Sequence, residues 1–146
     1  MDSINGGIDT TARTVLFALY HLGQNPEVQA KVRAEAFSEL GASGPVEHTH
    51  ITHGLKYLRA TVRESMRVLP ITPMQTRTVP KDIELLGIRI PKGTHIIANS
   101  YAMGHDPRFM RDPEAFRPER WLAKGEEKAN GNTWMTFGHG CVCPRR

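Results

Sequence analysis

Two prolines, Pro70 and Pro73, divide this chain into halves with different apolar rhythms. Ahead of them, Leu55, Leu58, Val62, Met66 and Leu69 recur at steps of three and four, the spacing of one helix face. Proline lacks the amide and clashes with the turn before it, so the pair closes this pattern. Behind them, from Met74 to Thr94, apolar residues alternate over short stretches instead. Ile83 and Leu85 are followed by Ile88 and Ile90 across Gly87, and Pro91-Lys92-Gly93 reads as a turn. Thr94 to Ala98 reads as a further short strand.

Upstream, Val15, Leu16, Ala18, Leu19 and Leu22 predict an amphipathic helix over 10–22, ended by Gly23. Asn25-Pro26-Glu27 is a helix start, with Asn as N-cap and Pro at the first helical position. Val28, Val32, Ala36 and Leu40 continue that helix, and Gly41 to Pro45 is a loop. Asp-Pro and Arg-Pro dipeptides between Met103 and Trp121 indicate ordered loop and short helix, and Lys124 to Asn132 is a polar loop. The fold class is therefore α+β, mainly helical, with helices dominant in the first half.

Hydrophobic residues are 39% of 146, which with 13 Gly excludes disorder throughout, and 23% charged residues exclude a disordered polyelectrolyte. The net charge of +4 is too diffuse to argue for nucleic acid. No apolar run approaches the ~18 residues that span a bilayer. Met1-Asp2-Ser3-Ile4-Asn5 has neither the basic nor the apolar region of a signal peptide. The chain opens on Gly6-Gly7-Ile8-Asp9 directly before a helical pattern and closes on Pro144-Arg145-Arg146, so it reads as a piece of a larger domain. The apolar faces of its first helices then lack their partners, which predicts aggregation.

Glu64 and Arg67 stand three apart on the third helix and so on one face. An exposed pair of this kind contributes about 0.3 kcal/mol. Arg120, in Pro118-Glu119-Arg120-Trp121, is placed to share the same carboxylate, making a network that holds a helix against a distant loop. The most chemical stretch is Phe137-Gly138-His139-Gly140-Cys141-Val142-Cys143. Its glycines allow close backbone approach to a flat ligand, and a thiolate there ligates a soft or borderline metal. A small zinc or copper site on His139, Cys141 and Cys143, or a tail with idle cysteines, are the rival readings. His48, His50 and His53 read as exposed and unliganded, and His21, His95 and His105 have no partner spacing.

Taken together, Gly6-Gly7-Ile8-Asp9-Thr10-Thr11, Glu64-x-x-Arg67, Phe116-Arg117-Pro118-Glu119-Arg120-Trp121 and Phe137-Gly138-x-Gly140 leading to Cys, in that order, resemble the C-terminal part of a cytochrome P450. The resemblance covers residues 1–146 as a partial domain, lacking the N-terminal part and the helix after the Cys loop. It implies heme b (iron protoporphyrin IX) on the Cys143 thiolate, with Cys141 as runner-up, and Phe137, Gly138 and Gly140 forming the loop against it. It implies Thr10 near bound dioxygen as a proton relay with Asp9 as the linked acid. Without the other motifs, Asp9-Thr10-Thr11 would read as an N-cap and first turn. Arg77 would pair a heme propionate, Glu64, Arg67 and Arg120 would be structural, and Leu69 to Thr76 would border the substrate cavity.

The implied activity is monooxygenation of a lipophilic, sterol-like substrate, with electrons from NADPH through a redox partner. Lys56, Arg59 and Arg63 form a basic stripe that reads either as a solvated face or as a docking face for an acidic partner. Bases matching Arg59 and Arg63 occur in the mitochondrial branch, which takes electrons from a ferredoxin; a flavoprotein reductase is the microsomal alternative. The implied location is the mitochondrial inner membrane, or alternatively the endoplasmic reticulum membrane. The Cys loop departs from the family pattern. Val142 falls at the family's Arg position and Pro144 at its Cys position in ungapped register, and one residue omitted before Cys143 and one after Pro144 restore the match. The alternative is a truncated member that binds no heme and acts only by interaction.

Overall fold

The computed structural model describes residues 2–41, 44–123 and 136. The polar loop over 124–132 and the Cys loop over 137–143 lie outside the described residues.

Helix α1 spans Asp2–Gln24, so it begins well ahead of the predicted Thr10 and carries through Gly23. Gly6 and Gly7 therefore lie inside a helix, although glycine costs up to about 1 kcal/mol there. Thr10 and Thr14 bond backwards, their hydroxyls donating to the carbonyls of Gly6 at 2.5 Å and Thr10 at 2.8 Å. This is the mid-helix habit of threonine and excludes the N-cap reading of Asp9-Thr10-Thr11.

Helix α2 spans Pro26–Leu40. Asn25 takes the N-cap position without capping; its side-chain amide instead donates to the His21 carbonyl at 2.8 Å, joining the two helices. Gly41 ends α2 at φ 67°, its N–H donating to Phe37 O at 3.0 Å. A single π-helical turn, His50–Gly54, stands where a histidine-bearing loop was expected.

Helix α3 spans Lys56–Val68 and ends two residues before Pro70. Its N-terminus is capped by α2. The Glu35 carboxylate accepts the Tyr57 N–H at 2.7 Å and the Leu58 N–H at 2.8 Å. A carboxylate suits the positive end of a helix. Helix α3 is the hub, touching α1, α2, the short helix α4 (Ser100–His105) and a 3₁₀ turn, Pro118–Trp121.

Two small antiparallel sheets follow. Strand β1 (Met74–Thr78) pairs with β4 (His95–Asn99) in the register Met74↔Asn99 to Thr78↔His95. Strand β2 (Ile83–Leu85) pairs with β3 (Ile88–Ile90), Ile83 opposite Ile90 and Leu85 opposite Ile88. Leu86 and Gly87 turn that hairpin at φ 52° and 78°. Glycine adopts this region freely, but a leucine there costs about 1–2 kcal/mol.

Among the described residues the buried apolar set is small: Val28, Leu55, Ala60, Val79 and Met110. The largest fully buried side chain among them is Glu64, so a polar cage rather than a greasy core organises this region. Val15, Leu16 and Leu19, the stripe expected on α1, are each more than half exposed.

Candidate functional site

A single turn of α3 sets Glu64 and Arg67 on the same face, and the segment after α4 wraps over that face. Arg67 Nε and Nη2 grip the two Glu64 oxygens at 3.0 and 2.8 Å. Arg120 Nε reaches Oε1 at 3.0 Å, the Arg117 backbone N–H donates to the same oxygen at 2.9 Å, and the Trp121 indole N–H donates to Oε2 at 2.8 Å. Five donors thus satisfy one carboxylate whose side chain is 0% exposed. Burial alone would raise the Glu64 carboxyl, but Arg67, the Arg117 amide and Arg120 outweigh it and hold it below the ordinary value.

The remaining donors of the two guanidinium groups face carbonyls. Arg67 reaches Gly104 O at 2.8 Å, Pro113 O at 2.7 Å and Ala115 O at 3.2 Å. Arg120 reaches Arg111 O at 2.8 Å, Asp112 O at 3.1 Å and Ala115 O at 3.0 Å, with the Met110 sulfur at 3.2 Å. The irregular stretch from Gly104 to Arg117 is therefore shaped by arginine donors in place of ladder hydrogen bonds.

His21 completes this cage and was not singled out in the sequence. Its Nδ1 lies 2.9 Å from Ser65 Oγ, and its ring stacks on Phe116 with centroids 4.8 Å apart and 13° between planes. The one available signal is its place on the α1 apolar stripe, four residues after Phe17, where an aliphatic residue would be expected. Burial lowers its pKa, and the Arg67 charge adds to that, against the Phe17 backbone and the Glu64 charge. With the folded value depressed, the unfolded chain binds the proton more readily. The stability this carries is present above about pH 6.5 and is lost as pH falls through the folded value. His21→Gln is expected to cost about 1–2 kcal/mol at pH 7.5 and to flatten the change in urea midpoint between pH 7.5 and 5.5. An unchanged slope would show that another group carries it.

The face of α1 beyond His21 opens on a cavity of about 370 Å³. It is bounded by Thr10, Thr11, Thr14 and Val15 of α1, Met66 of α3, Ile71 and Thr72 after it, and Thr136. Asp9 lies beside it in sequence but pairs outward with Arg13 at 3.2 Å, both exposed. Phe137, Gly138, Gly140, Cys141 and Cys143 follow Thr136 in sequence and lie outside the described residues.

Arg77 sits on β1, exposed, its guanidinium donating to the Thr76 carbonyl at 3.1 Å. Lys56, Arg59 and Arg63 are all exposed on α3, away from the Glu64 cage. Arg59 Nη1 also donates to the Thr52 carbonyl at 2.6 Å, closing the π-helical turn. His48 and His53 are exposed, and His50 accepts the Glu47 N–H at 3.1 Å. Among the described residues no cluster of three His, Cys, Asp or Glu side chains is arranged to hold a metal ion, and no helix is long and apolar enough to cross a membrane.

Comparison with known proteins places these features. The model of the family described as Cytochrome P450 matches residues 1–143. The chain is 37% identical over 134 residues to rat cytochrome P450 4V2, covering 92% of this chain and 26% of that relative. It is 37% identical over 133 residues to rabbit mitochondrial sterol 26-hydroxylase, covering 90% and 24%. It is 34% identical over 137 residues to human cytochrome P450 3A5, covering 94% and 27%. The chain thus spans about a quarter of the length of these relatives.

Proposed function

This chain belongs to the cytochrome P450 family, and we propose that it forms part of a heme-thiolate monooxygenase acting on a lipophilic substrate. Its helices and two small antiparallel sheets match part of that family's fold. The observation that carries the proposal is the cavity, where the hydroxyl-bearing face of α1 meets Met66, Ile71 and Thr136.

The residues present fit a heme. Five of the eight lining residues are threonines, but the hydroxyls of Thr10 and Thr14 are turned back onto helix carbonyls, and with Val15, Met66 and Ile71 the lining surface is mostly apolar, which suits a flat apolar macrocycle. Thr136, on the wall, is followed in sequence by the Gly-rich Cys segment. Cys143, or Cys141 in its place, would hold the iron, and Phe137, Gly138 and Gly140 would let the loop lie close to the ring. Arg77, an exposed cation on β1, would take a propionate. When bound, the heme supplies the redox chemistry by which one atom of dioxygen enters a C–H bond and the other leaves as water.

Thr10 directs protons in this reading. Its hydroxyl proton is committed to Gly6 O at 2.5 Å, so what Oγ1 offers the cavity is lone pairs that accept a proton. Asp9, exposed at the adjoining position, is the acid that exchanges protons with solvent. Val15, Met66 and Ile71 supply the apolar part of the wall.

Electrons from NADPH would arrive through a partner protein docking on Lys56, Arg59 and Arg63. A ferredoxin suits this basic face, and a flavoprotein reductase is the alternative. A sterol-like substrate and a mitochondrial location, which we place at the inner membrane, follow one relative's name, and the endoplasmic reticulum membrane is the alternative location. A second reading, a family member that binds no heme, is favoured by the Cys segment itself, where Val142 falls at the family's Arg position.

The test is heme loading of the chain and the spectrum of its reduced carbon monoxide adduct. A thiolate-ligated signature is expected, lost in Cys143→Ser and kept in Cys141→Ser. A chain that takes up no heme would leave the second reading.

A further inference from the structure

Among the described residues of α1, His21 is the only one that is buried, at 7% exposure. Thr14, Phe17, Ala18 and Leu22 are half-buried, and with His21 they follow the steps of three and four that mark one helix face. Toward α3 that face meets Leu58 and Val62 across an apolar groove of about 250 Å³. Apolar contact is non-directional. Such a groove holds α1 against α3 without fixing how α1 is turned about its own axis.

His21 supplies the direction. Its Nδ1 lies 2.9 Å from the hydroxyl of Ser65, a residue 1% exposed, and its ring lies flat on Phe116. A hydrogen bond and a ring stack both depend on angle, so both resist rotation of the helix that carries them. The Asn25 amide, 2.8 Å from the His21 carbonyl, ties down the backbone of the same turn.

The consequence reaches the cavity. Thr10 and His21 are eleven residues apart. At about 3.6 residues per turn that is three turns and about 20°, so they share a face, about 16 Å apart along the axis. Thr14 lies between them on that face. Helix α1 runs uninterrupted from Asp2 to Gln24, so a rotation set at His21 is passed to Thr10, Thr11 and Thr14 on the cavity wall.

We infer that His21 is a positioning residue for this wall: held by Ser65 and Phe116, it sets the rotation of α1 that turns Thr10, Thr11 and Thr14 toward Met66 and Ile71. What Thr10 does there rests on the heme-thiolate reading; its placement does not.

The neutral ring is the form that fits. From α3 the charges acting on it are Glu64 and Arg67, opposite in sign. Phe116, on the segment packed over it, is followed by Arg117, whose side chain pairs with Asp112, and Asn25 ahead of α2 is uncharged. The Glu64 carboxylate already takes five donors. An imidazolium here would be a buried cation with no free anion to answer it, and the contact loosens when the ring is protonated.

The test follows the threonine methyl signals of the 146-residue chain without heme, so failure to bind heme leaves it standing. At pH 7.5, Ser65→Ala and, separately, His21→Gln are expected to shift the Thr10, Thr11 and Thr14 signals while Thr76, on β1, keeps its position. In the parent the same three signals should move together as pH is lowered toward 5.5, following the titration of the His21 ring, and His21→Gln should remove that movement. A role confined to stability changes the folded population and leaves folded-state positions where they were. Cavity-wall signals that stay in place in both variants overturn the inference, and so does a pH dependence that His21→Gln retains. Where the parent unfolds before its ring titrates, or Ser65→Ala does not fold, His21→Gln at pH 7.5 decides: unmoved wall signals overturn the inference and shifted ones support it.

Discussion

Replacing Glu64 by glutamine is expected to abolish the cooperative unfolding transition of the chain at 25 °C. The substitution is nearly isosteric, so what changes is charge and donor count. Two guanidinium groups, at 0% and 5% side-chain exposure, lose the one anion they share. The new amide also points a donor into a ring of five donors. Removing one partner of a buried ion pair costs about 3–5 kcal/mol. Small domains hold about 5 kcal/mol in total at the low end, and among the described residues the buried apolar set is only five. The near-UV dichroism of Trp121, whose indole N–H ends on Glu64, reads the result directly. A sharp transition within 1 kcal/mol of the parent would show that the cage adds little.

The same carboxylate sets the acid limit of the fold. Its folded pKa lies below the unfolded one, so its contribution is complete above the ordinary carboxylate value and is lost as pH falls through the depressed value. His21 begins to fail earlier, below about pH 6.5. As pH falls, the His21 contribution is therefore expected to go before that of Glu64.

How much of this was legible in the sequence depended on distance along the chain. Periodicity located α2 and α3, and the pair of alternating stretches around Gly87 located the hairpin, because those signals are local. The start of α1 was not legible, since Gly6 and Gly7 are poor helix formers and only the back-bonded Thr10 betrays the helix running through them. Glu64 with Arg67 was legible from a spacing of three, and Arg120 from its setting in Pro118-Glu119-Arg120-Trp121. The Trp121 indole, the Arg117 amide and the Glu35 cap of α3 were not, because each is a donor or acceptor delivered by an element whose approach no local pattern fixes. The pairing of β1 with β4 was hidden for the same reason. Of the cavity, Thr10 was named from motif order, whereas its meeting with Met66 and Thr136 is a tertiary fact.

Arg67→Lys is expected to cost about 2–4 kcal/mol although the charge is kept. Lysine offers three donors at one point, whereas Arg67 spreads five bonds over Glu64 and three carbonyls. Ala115 O would still hold Arg120 at 3.0 Å, but Gly104 O and Pro113 O would lose the donor that reaches them. Each buried carbonyl left without a partner costs about 1–3 kcal/mol. The damage should also be local. Amide exchange and protease cleavage should rise between Gly104 and Arg117 while α2 and the Glu35-capped start of α3 stay protected, a pattern that global unfolding does not give. Arg117→Ala is the matched control. Among the described residues that side chain pairs with the exposed Asp112, at 3.1 Å, and the bond to Glu64 comes from the backbone, which alanine keeps. Its cost should fall within about 0.5 kcal/mol. If Arg117→Ala equalled Arg67→Lys, positive charge in this segment, and not the placement of donors, would be what folds it.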